Sequence, residues 1–135
     1  MADEAGTMAG VIPHLTIGGG RATEAIDFYT RAFGAEELGR HMAEDGKRVM
    51  HCHLRINGGS LMLNDDFPEW TGGVGVPAAV TLHLQTDDPD RWFARATEAG
   101  ASVAMPLADQ FWGDRYGQVT DPFGHRWSIG GPLKG

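Results

Sequence analysis

The chain has 135 residues, the length of a single domain with one hydrophobic core. Its 18 acidic residues outnumber its 11 lysines and arginines, and the resulting net charge of −7 argues against a surface for nucleic acid or for an anionic membrane. There is no signal-peptide pattern, no apolar run of membrane-spanning length and only one cysteine, Cys52, so we expect a cytoplasmic protein without an internal disulfide.

Two distant segments carry the same pattern and indicate an internal duplication. Residues 11–17 and 80–86 each begin with valine and have histidine then leucine at the fourth and fifth positions, the histidines being His14 and His83. Each segment is followed by a predicted helix that ends at Gly-Ala. A period this long predicts two supersecondary units in one domain, because arrays of stacked repeats have shorter periods.

The first half of the chain predicts a strand, a helix and three further strands. The helix is indicated by apolar residues at helical spacing, followed by Gly34 as a stop signal. Asp45-Gly46 and Asn57-Gly58 predict tight hairpin turns, since these turns need positive φ. The predicted elements are residues 11–17, 22–33, 37–43, 48–56 and 60–63.

The second half repeats this order after a polar linker, residues 65–78, whose Asp65 and Asp66 we expect to be solvated. Asp88 is the predicted helix N-cap with Pro89 at the first helical position, and Asp121 to Gly124 predicts a type I turn. Module one is thus residues 11–64 and module two residues 79–130. The predicted elements of module two are residues 80–86, 89–99, 102–107, 118–121 and 125–129.

Three segments of this chain resemble the vicinal oxygen chelate superfamily, which includes glyoxalase I, extradiol dioxygenases, fosfomycin-resistance proteins and bleomycin-binding proteins. They are AIDFYTRAFGA at 25–35, GSLMLND at 59–65 and FWGDRYGQVTDPFGHRW at 111–127, and they look most like the PhnB-like subgroup. The resemblance spans residues 11–129. It implies an α+β fold in which two βαβββ modules form an open, curled mixed sheet around a cavity, with the helices outside.

The resemblance also implies positions for a metal site. In metal-dependent members, one histidine on the first strand of each module joins glutamates from the last strands. His14 and His83 match the histidines, whereas the glutamate positions fall at or next to Met62 and Ser128. Half of the usual ligand set is therefore missing, and two histidines alone hold a divalent ion weakly.

A third donor could come from the strand predicted at residues 48–56. Strand alternation places His51 and His53 on the face opposite Cys52. We predict that one of them, preferably His51, is the third ligand or the catalytic base, with zinc, nickel, iron or manganese as the ion. In the alternative interpretation, the histidines line a wet concave face and no metal is bound.

Several residues of the loops and the last two strands are candidates for ligand binding. Trp70 and Trp112 could cover an apolar or planar ligand, and Arg115 could orient a carboxylate or phosphonate. We expect Arg126 and Ser128 to face the cavity. The predicted ligand-binding set is Trp70, Trp112, Arg115, Tyr116, Arg126 and Ser128.

Two functional hypotheses follow, and the sequence leaves open whether the protein is an enzyme. The first is a small-molecule site of the glyoxalase type in which a metal assists a lyase or isomerase reaction. The second is a metal-free protein that sequesters a drug or metabolite. We also expect a homodimer, because modules of this superfamily commonly pair across subunits and open sheets leave edges to cover.

Overall fold

The computed structural model describes residues 9–133. The chain divides into two compact units. The first contains residues up to Thr30 and Gly34–Gly75, and the second contains Arg31–Phe33 and the residues from Val76 onward.

The first unit contains a four-stranded mixed sheet in the order β1-β4-β3-β2. β1 runs parallel to β4, and the other neighbours are antiparallel. A short 3₁₀ turn at Gly18–Gly20 leads from β1 into the first helix, α1, and a four-residue helix, α2, follows β4. The bounds are β1 His14–Ile17, α1 Ala22–Phe33, β2 Glu36–Met42, β3 Val49–Ile56, β4 Gly59–Asp65 and α2 Pro68–Thr71.

The second unit repeats this arrangement with the order β5-β8-β7-β6, in which β5 runs parallel to β8. Its elements are β5 Thr81–Gln85, α3 Pro89–Ala99, β6 Ser102–Asp109, β7 Asp114–Thr120 and β8 Arg126–Pro132. Each unit is thus a βαβββ module with the same strand order. The predicted α+β fold is confirmed.

Local sequence signals explain the helix ends. Gly34 adopts the left-handed conformation with φ 64°, and its N–H bonds the carbonyl of Thr30, which ends α1 at the predicted residue. Asp88 accepts a hydrogen bond from the backbone N–H of Arg91, and Pro89 starts α3, again as predicted. α1 buries Phe28, Tyr29 and Phe33, and about 2 kcal/mol per large apolar side chain is typical of such burial. In α3, Pro89 and Ala96 are buried.

The predicted hairpin turn at Asn57-Gly58 is confirmed, because both residues have positive φ, 50° and 84°. The predicted bounds of several strands were wrong. β7 begins at Asp114, earlier than the predicted residue 118, and β8 extends to Pro132, since these two residues pair with each other in the antiparallel ladder. β1 is shorter than predicted and begins at His14.

The prediction that Asp65 and Asp66 are solvated was wrong. Asp65 ends β4 and is fully buried, where its Oδ1 accepts a hydrogen bond of 2.8 Å from the N–H of Ala22 and its Oδ2 one of 2.7 Å from the N–H of Val49. Asp66 is also buried and accepts a hydrogen bond from the Thr71 hydroxyl. Asp65 therefore fastens the start of α1 to β3, and its charge lies favourably at the helix N-terminus.

Across residues 9–133, the helices are all too short or too polar to cross a bilayer.

Candidate functional site

One face of the first sheet is polar, and we call it the first polar face. In the strand register Met62 of β4 lies between His14 of β1 and His53 of β3, so these three side chains share a face. By alternation, the residues two positions along each strand lie on it too. The opposite face carries buried apolar side chains such as Leu15, Cys52 and Leu63.

Three imidazole rings lie close together on the first polar face. The ring centroids of His14 and His51 are 6.5 Å apart, and those of His51 and His41 are 6.0 Å apart. His14 is exposed, and its Nε2 lies 3.2 Å from Oδ1 of Asn64. The structure therefore brings the predicted residues His14 and His51 together. His41 was missed, although it lies opposite His51 in the register of β2 and β3.

His53 differs from the other three histidines of this sheet because it is fully buried. Its Nε2 lies 2.9 Å from the hydroxyl oxygen of Ser60 on β4. A fully buried ring with this hydrogen bond contributes to the packing of β3 against β4. Its catalytic role stays a prediction.

The second polar face, in the second sheet, is organised around His83. His83 lies opposite Ser128 in the β5–β8 register, and its Nδ1 is 2.7 Å from Oγ of that serine. Its Nε2 is 2.8 Å from Oε1 of Gln85. Since the amide oxygen only accepts, Nε2 donates a hydrogen bond to Gln85, and Nδ1 forms the second hydrogen bond with the serine hydroxyl. Both ring nitrogens thus form hydrogen bonds with uncharged side chains.

Aromatic rings extend this face. The rings of His83 and Tyr116 are stacked, with centroids 6.0 Å apart, and Trp112 meets Tyr116 edge-on at 5.6 Å. Trp112 is 49% exposed and its neighbour Phe111 is 97% exposed. Gly130 makes the stacking possible, because a Cβ at this position would lie 3.0 Å from Cε1 of His83 and 3.3 Å from Cδ2 of Tyr116.

A chain of hydrogen bonds crosses the same face. Nε and Nη1 of Arg126 donate to Oγ1 of Thr120 and Oε1 of Gln118, each at 3.1 Å. The amide nitrogen of Gln118 donates in turn to the hydroxyl of Tyr116 at 3.1 Å. The structure therefore brings Trp112, Tyr116, Arg126, Ser128 and His83 onto one face. Gln85 and Gln118 were missed, although each lies two residues beyond a predicted site residue on the same strand.

Arg115 lies on the other face of β7, because it adjoins Tyr116 in the strand. Its guanidinium donates two hydrogen bonds of 2.9 Å to Asp90 and one of 3.1 Å to Asp109. The bonds to Asp90, followed by the bond to Asp109, raise the pKa of Arg115. Two carboxylates thus bind the guanidinium of Arg115. A role of Arg115 in ligand binding stays a prediction.

Trp70 belongs to the first unit, where it lies in α2, is largely exposed and stacks on Phe67 with centroids 5.2 Å apart. The Arg48 guanidinium lies 4.3 Å from the centroid of the Phe67 ring and bonds both Glu69 and Asp45. These contacts hold α2 against the β2–β3 hairpin. The role of Trp70 as a cover for a ligand stays a prediction.

The donor sets around His14 and His83 do not fit a catalytic divalent metal. Met62 presents a thioether opposite His14, and Ser128 presents a neutral hydroxyl opposite His83. Both are poor substitutes for a carboxylate at zinc or manganese. Within residues 9–133, moreover, no three His, Cys, Asp or Glu side chains are placed to hold a metal ion.

The repeated module and its strand order can be compared with those of known families. The profile of the Glyoxalase/Bleomycin resistance protein/Dioxygenase superfamily matches residues 11–129. The chain belongs to this superfamily. Members of the superfamily bind small molecules, and some bind divalent metals.

Individual relatives support this assignment. An uncharacterized protein of Mycobacterium bovis is 51% identical over 128 residues, which cover 90% of this chain and 82% of the relative. The crystal structure of TioX from Micromonospora sp. ML1 has a TM-score of 0.70 and 30% identity, and the match covers 92% of this chain and 100% of TioX.

Two more distant structures share the fold. The PhnB protein from Bacillus cereus has a TM-score of 0.67 at 18% identity, with 91% of this chain and 99% of that one covered. The fosfomycin resistance protein FosX from Listeria monocytogenes, complexed with Mn(II) and sulfate, has a TM-score of 0.67 at 13% identity, with 93% and 94% covered. The PhnB-like resemblance of the sequence thus has a counterpart in the fold.

Proposed function

We propose that the protein binds a small molecule on the second polar face without a resident metal, as a sequestering member of the superfamily. The observation that carries this proposal is the position of His83, whose two ring nitrogens are held by Ser128 and Gln85. An imidazole that is held by two hydrogen bonds and stacks on a tyrosine is suited to contact a ligand directly.

The chemistry of this face favours a planar ligand. Trp112 and Tyr116 present ring surfaces, and a stacked or edge-on aromatic pair contributes about 0.5–1.5 kcal/mol beyond the area it buries. Ser128 and the Gln118–Tyr116 hydrogen bond place polar groups beside these rings. Aromatic rings beside fixed polar groups are typical of sites for small organic molecules.

Metal-assisted lyase or isomerase chemistry is the second candidate, and one observation favours it. The imidazoles of His14, His51 and His41 lie in a row on the first polar face, and imidazole suits zinc, nickel and iron, although the three rings are not placed to hold one ion together. We place this candidate second because Met62, rather than a carboxylate, lies opposite His14.

We further propose that the protein works in the cytoplasm as a homodimer. The lone Cys52 is buried and free, which suits a reducing compartment. β6 lies at the edge of its sheet and leaves Val103 and Met105 exposed, and a second subunit would cover such an edge. Light scattering that gives a monomer at all micromolar concentrations would contradict the dimer.

The binding proposal can be tested with benzamide, a neutral planar probe, by calorimetric titration of protein dialysed against a chelator. We expect saturable binding that Trp112→Ala weakens by roughly tenfold, about 1.4 kcal/mol. Val76→Ala, at an exposed position of the same unit, is the matched control and should bind like the wild type. Equal binding by Trp112→Ala and the control variant would refute the proposed site.

A further inference from the structure

We propose that the ligand of the second polar face carries an oxyanion, a carboxylate or a phosphonate, that Arg126 binds. This inference rests on the proposed function, because it concerns the same face. It specifies the chemical class of the ligand, which His83 and the aromatic rings leave open.

The contrast between two arginines of the second unit carries the inference. Arg115 is neutralised by Asp90 and Asp109. Arg126 instead donates to a hydroxyl and an amide oxygen, Thr120 Oγ1 and Gln118 Oε1. Among residues 9–133, no carboxylate forms an ion pair with Arg126. Its side chain is therefore fixed in position while its charge remains available to a ligand.

The geometry of the guanidinium suits an oxyanion. Arginine has several N–H donors in one plane, and Thr120 and Gln118 use only one on Nε and one on Nη1. The remaining donors include both on Nη2. Such donors match the two oxygens of a carboxylate or of a phosphonate, for which arginine is the preferred partner in proteins.

The position of Arg126 in the strand links this anion site to the rest of the face. Arg126 lies between Thr81 and Thr120 in the register, and Ser128 lies two residues further along β8. Two residues of a strand span roughly 7 Å, which is about the length of a benzene ring with one substituent. When the anionic group of a ligand binds Arg126, the rest of the ligand would thus lie beside Ser128 and His83.

The nearest acid in the sequence does not compete for Arg126. Asp121 is buried, and its Oδ1 accepts hydrogen bonds from the N–H groups of Phe123 and His125. Its Oδ2 accepts a bond of 2.9 Å from the indole N–H of Trp127, which lies on the opposite face of β8. Asp121 therefore fixes the β7–β8 turn.

Three probes with the same ring test the inference by calorimetric titration: benzoate, phenylphosphonate and neutral benzamide. We expect at least one anionic probe to bind the wild type more tightly than benzamide. Arg126→Gln should weaken that probe by roughly tenfold or more and leave benzamide unchanged. Arg91→Gln removes the same charge from an exposed position of α3 and should leave all three affinities unchanged within about twofold.

The outcomes separate the inference from the proposed function. If benzamide binds and Trp112→Ala weakens it, but neither anion depends on Arg126, the oxyanion inference fails and the binding site stands. Equal losses of anion binding in Arg126→Gln and Arg91→Gln would also overturn it, because they would reflect the general charge of the protein. If no probe binds, both proposals fail. A preference between benzoate and phenylphosphonate identifies which oxyanion the site accepts.

Discussion

His83 and Ser128 lie opposite each other on β5 and β8, with Nδ1 of the histidine 2.7 Å from Oγ of the serine. The equivalent pair in the first unit is His14 and Met62. A thioether is only a weak acceptor, and Nε2 of His14 lies instead beside the amide oxygen of Asn64. The two copies of one duplicated position have therefore acquired different surroundings: His14 lies beside His51, whereas His83 stacks on Tyr116.

Replacing Ser128 by glutamate should create a metal-binding pair with His83. The carboxylate would supply the anionic donor that the serine lacks, so we expect the affinity for zinc to rise by roughly tenfold or more. Calorimetric titration with zinc chloride measures the change. Ser102→Glu adds the same charge at an exposed position of β6 and is the control. No gain over this control would show that Ser128 does not occupy a metal-ligand position.

Asp65→Ala should be strongly destabilising. The substitution leaves the buried N–H groups of Ala22 and Val49 without their acceptor, and hydrogen bonds to a charged group contribute about 1.5–3 kcal/mol each. We expect the free energy of unfolding to fall by roughly 3–5 kcal/mol in urea titrations. Asp87→Ala, at an exposed position, should change it by less than about 0.5 kcal/mol. Similar values for the two variants would contradict the anchoring role of Asp65.

The four predicted histidines should differ in their effect on stability. His53 is buried and bonded to Ser60, so we expect His53→Ala to lower the free energy of unfolding by about 1–3 kcal/mol. His14 is exposed, and we expect His14→Ala to lower the free energy of unfolding by less than about 1 kcal/mol. Denaturant titrations of both variants provide the comparison. A loss at His14 as large as that at His53 would mean that His14 is also a packing residue.

The β2–β3 hairpin should loosen in acid as Asp45 is protonated. The backbone N–H of Arg48, followed by the N–H of Lys47 and the Arg48 guanidinium, lowers the pKa of Asp45 from 3.8 to about 2. This stabilisation is present above about pH 4 and is lost as the pH falls through 2. NMR titration of the Lys47 and Arg48 amides should follow it. Asp45→Asn should abolish the titration of these amide signals, whereas Glu44→Gln, the control, should leave it unchanged. If the amide signals still titrate in Asp45→Asn, the titrating group is not Asp45.

Much of the fold could be predicted because its signals are local. The apolar spacing and Gly34 gave the bounds of α1, and Asn57-Gly58 gave a hairpin turn with positive φ. The superfamily resemblance implied an open mixed sheet, but it gave no prediction of the parallel contact between the first and last strands of each module. The sequence periodicity alone does not predict this contact, because the contact joins distant segments.

The site was predictable only in part, because burial depends on contacts between distant segments. In the sequence Asp65 resembles a loop residue. Only the tertiary structure places the N–H groups of Ala22 and Val49 beside its carboxylate. Alternation gave His51 and His53 the same face, but it could not distinguish the half-buried ring from the fully buried one. Arg115 and Arg126 look alike in sequence, and only the tertiary structure shows that the first is neutralised by Asp90 and Asp109.

The most direct test of metal-free binding on the second polar face is an NMR titration with benzamide before and after exhaustive dialysis against a chelator. The indole N–H of Trp112 and the ring of His83 report on the site. We predict saturable shifts of both signals with the same affinity in the two samples. Shifts that appear only after zinc or manganese is added back would contradict the proposal and favour the metal-assisted candidate.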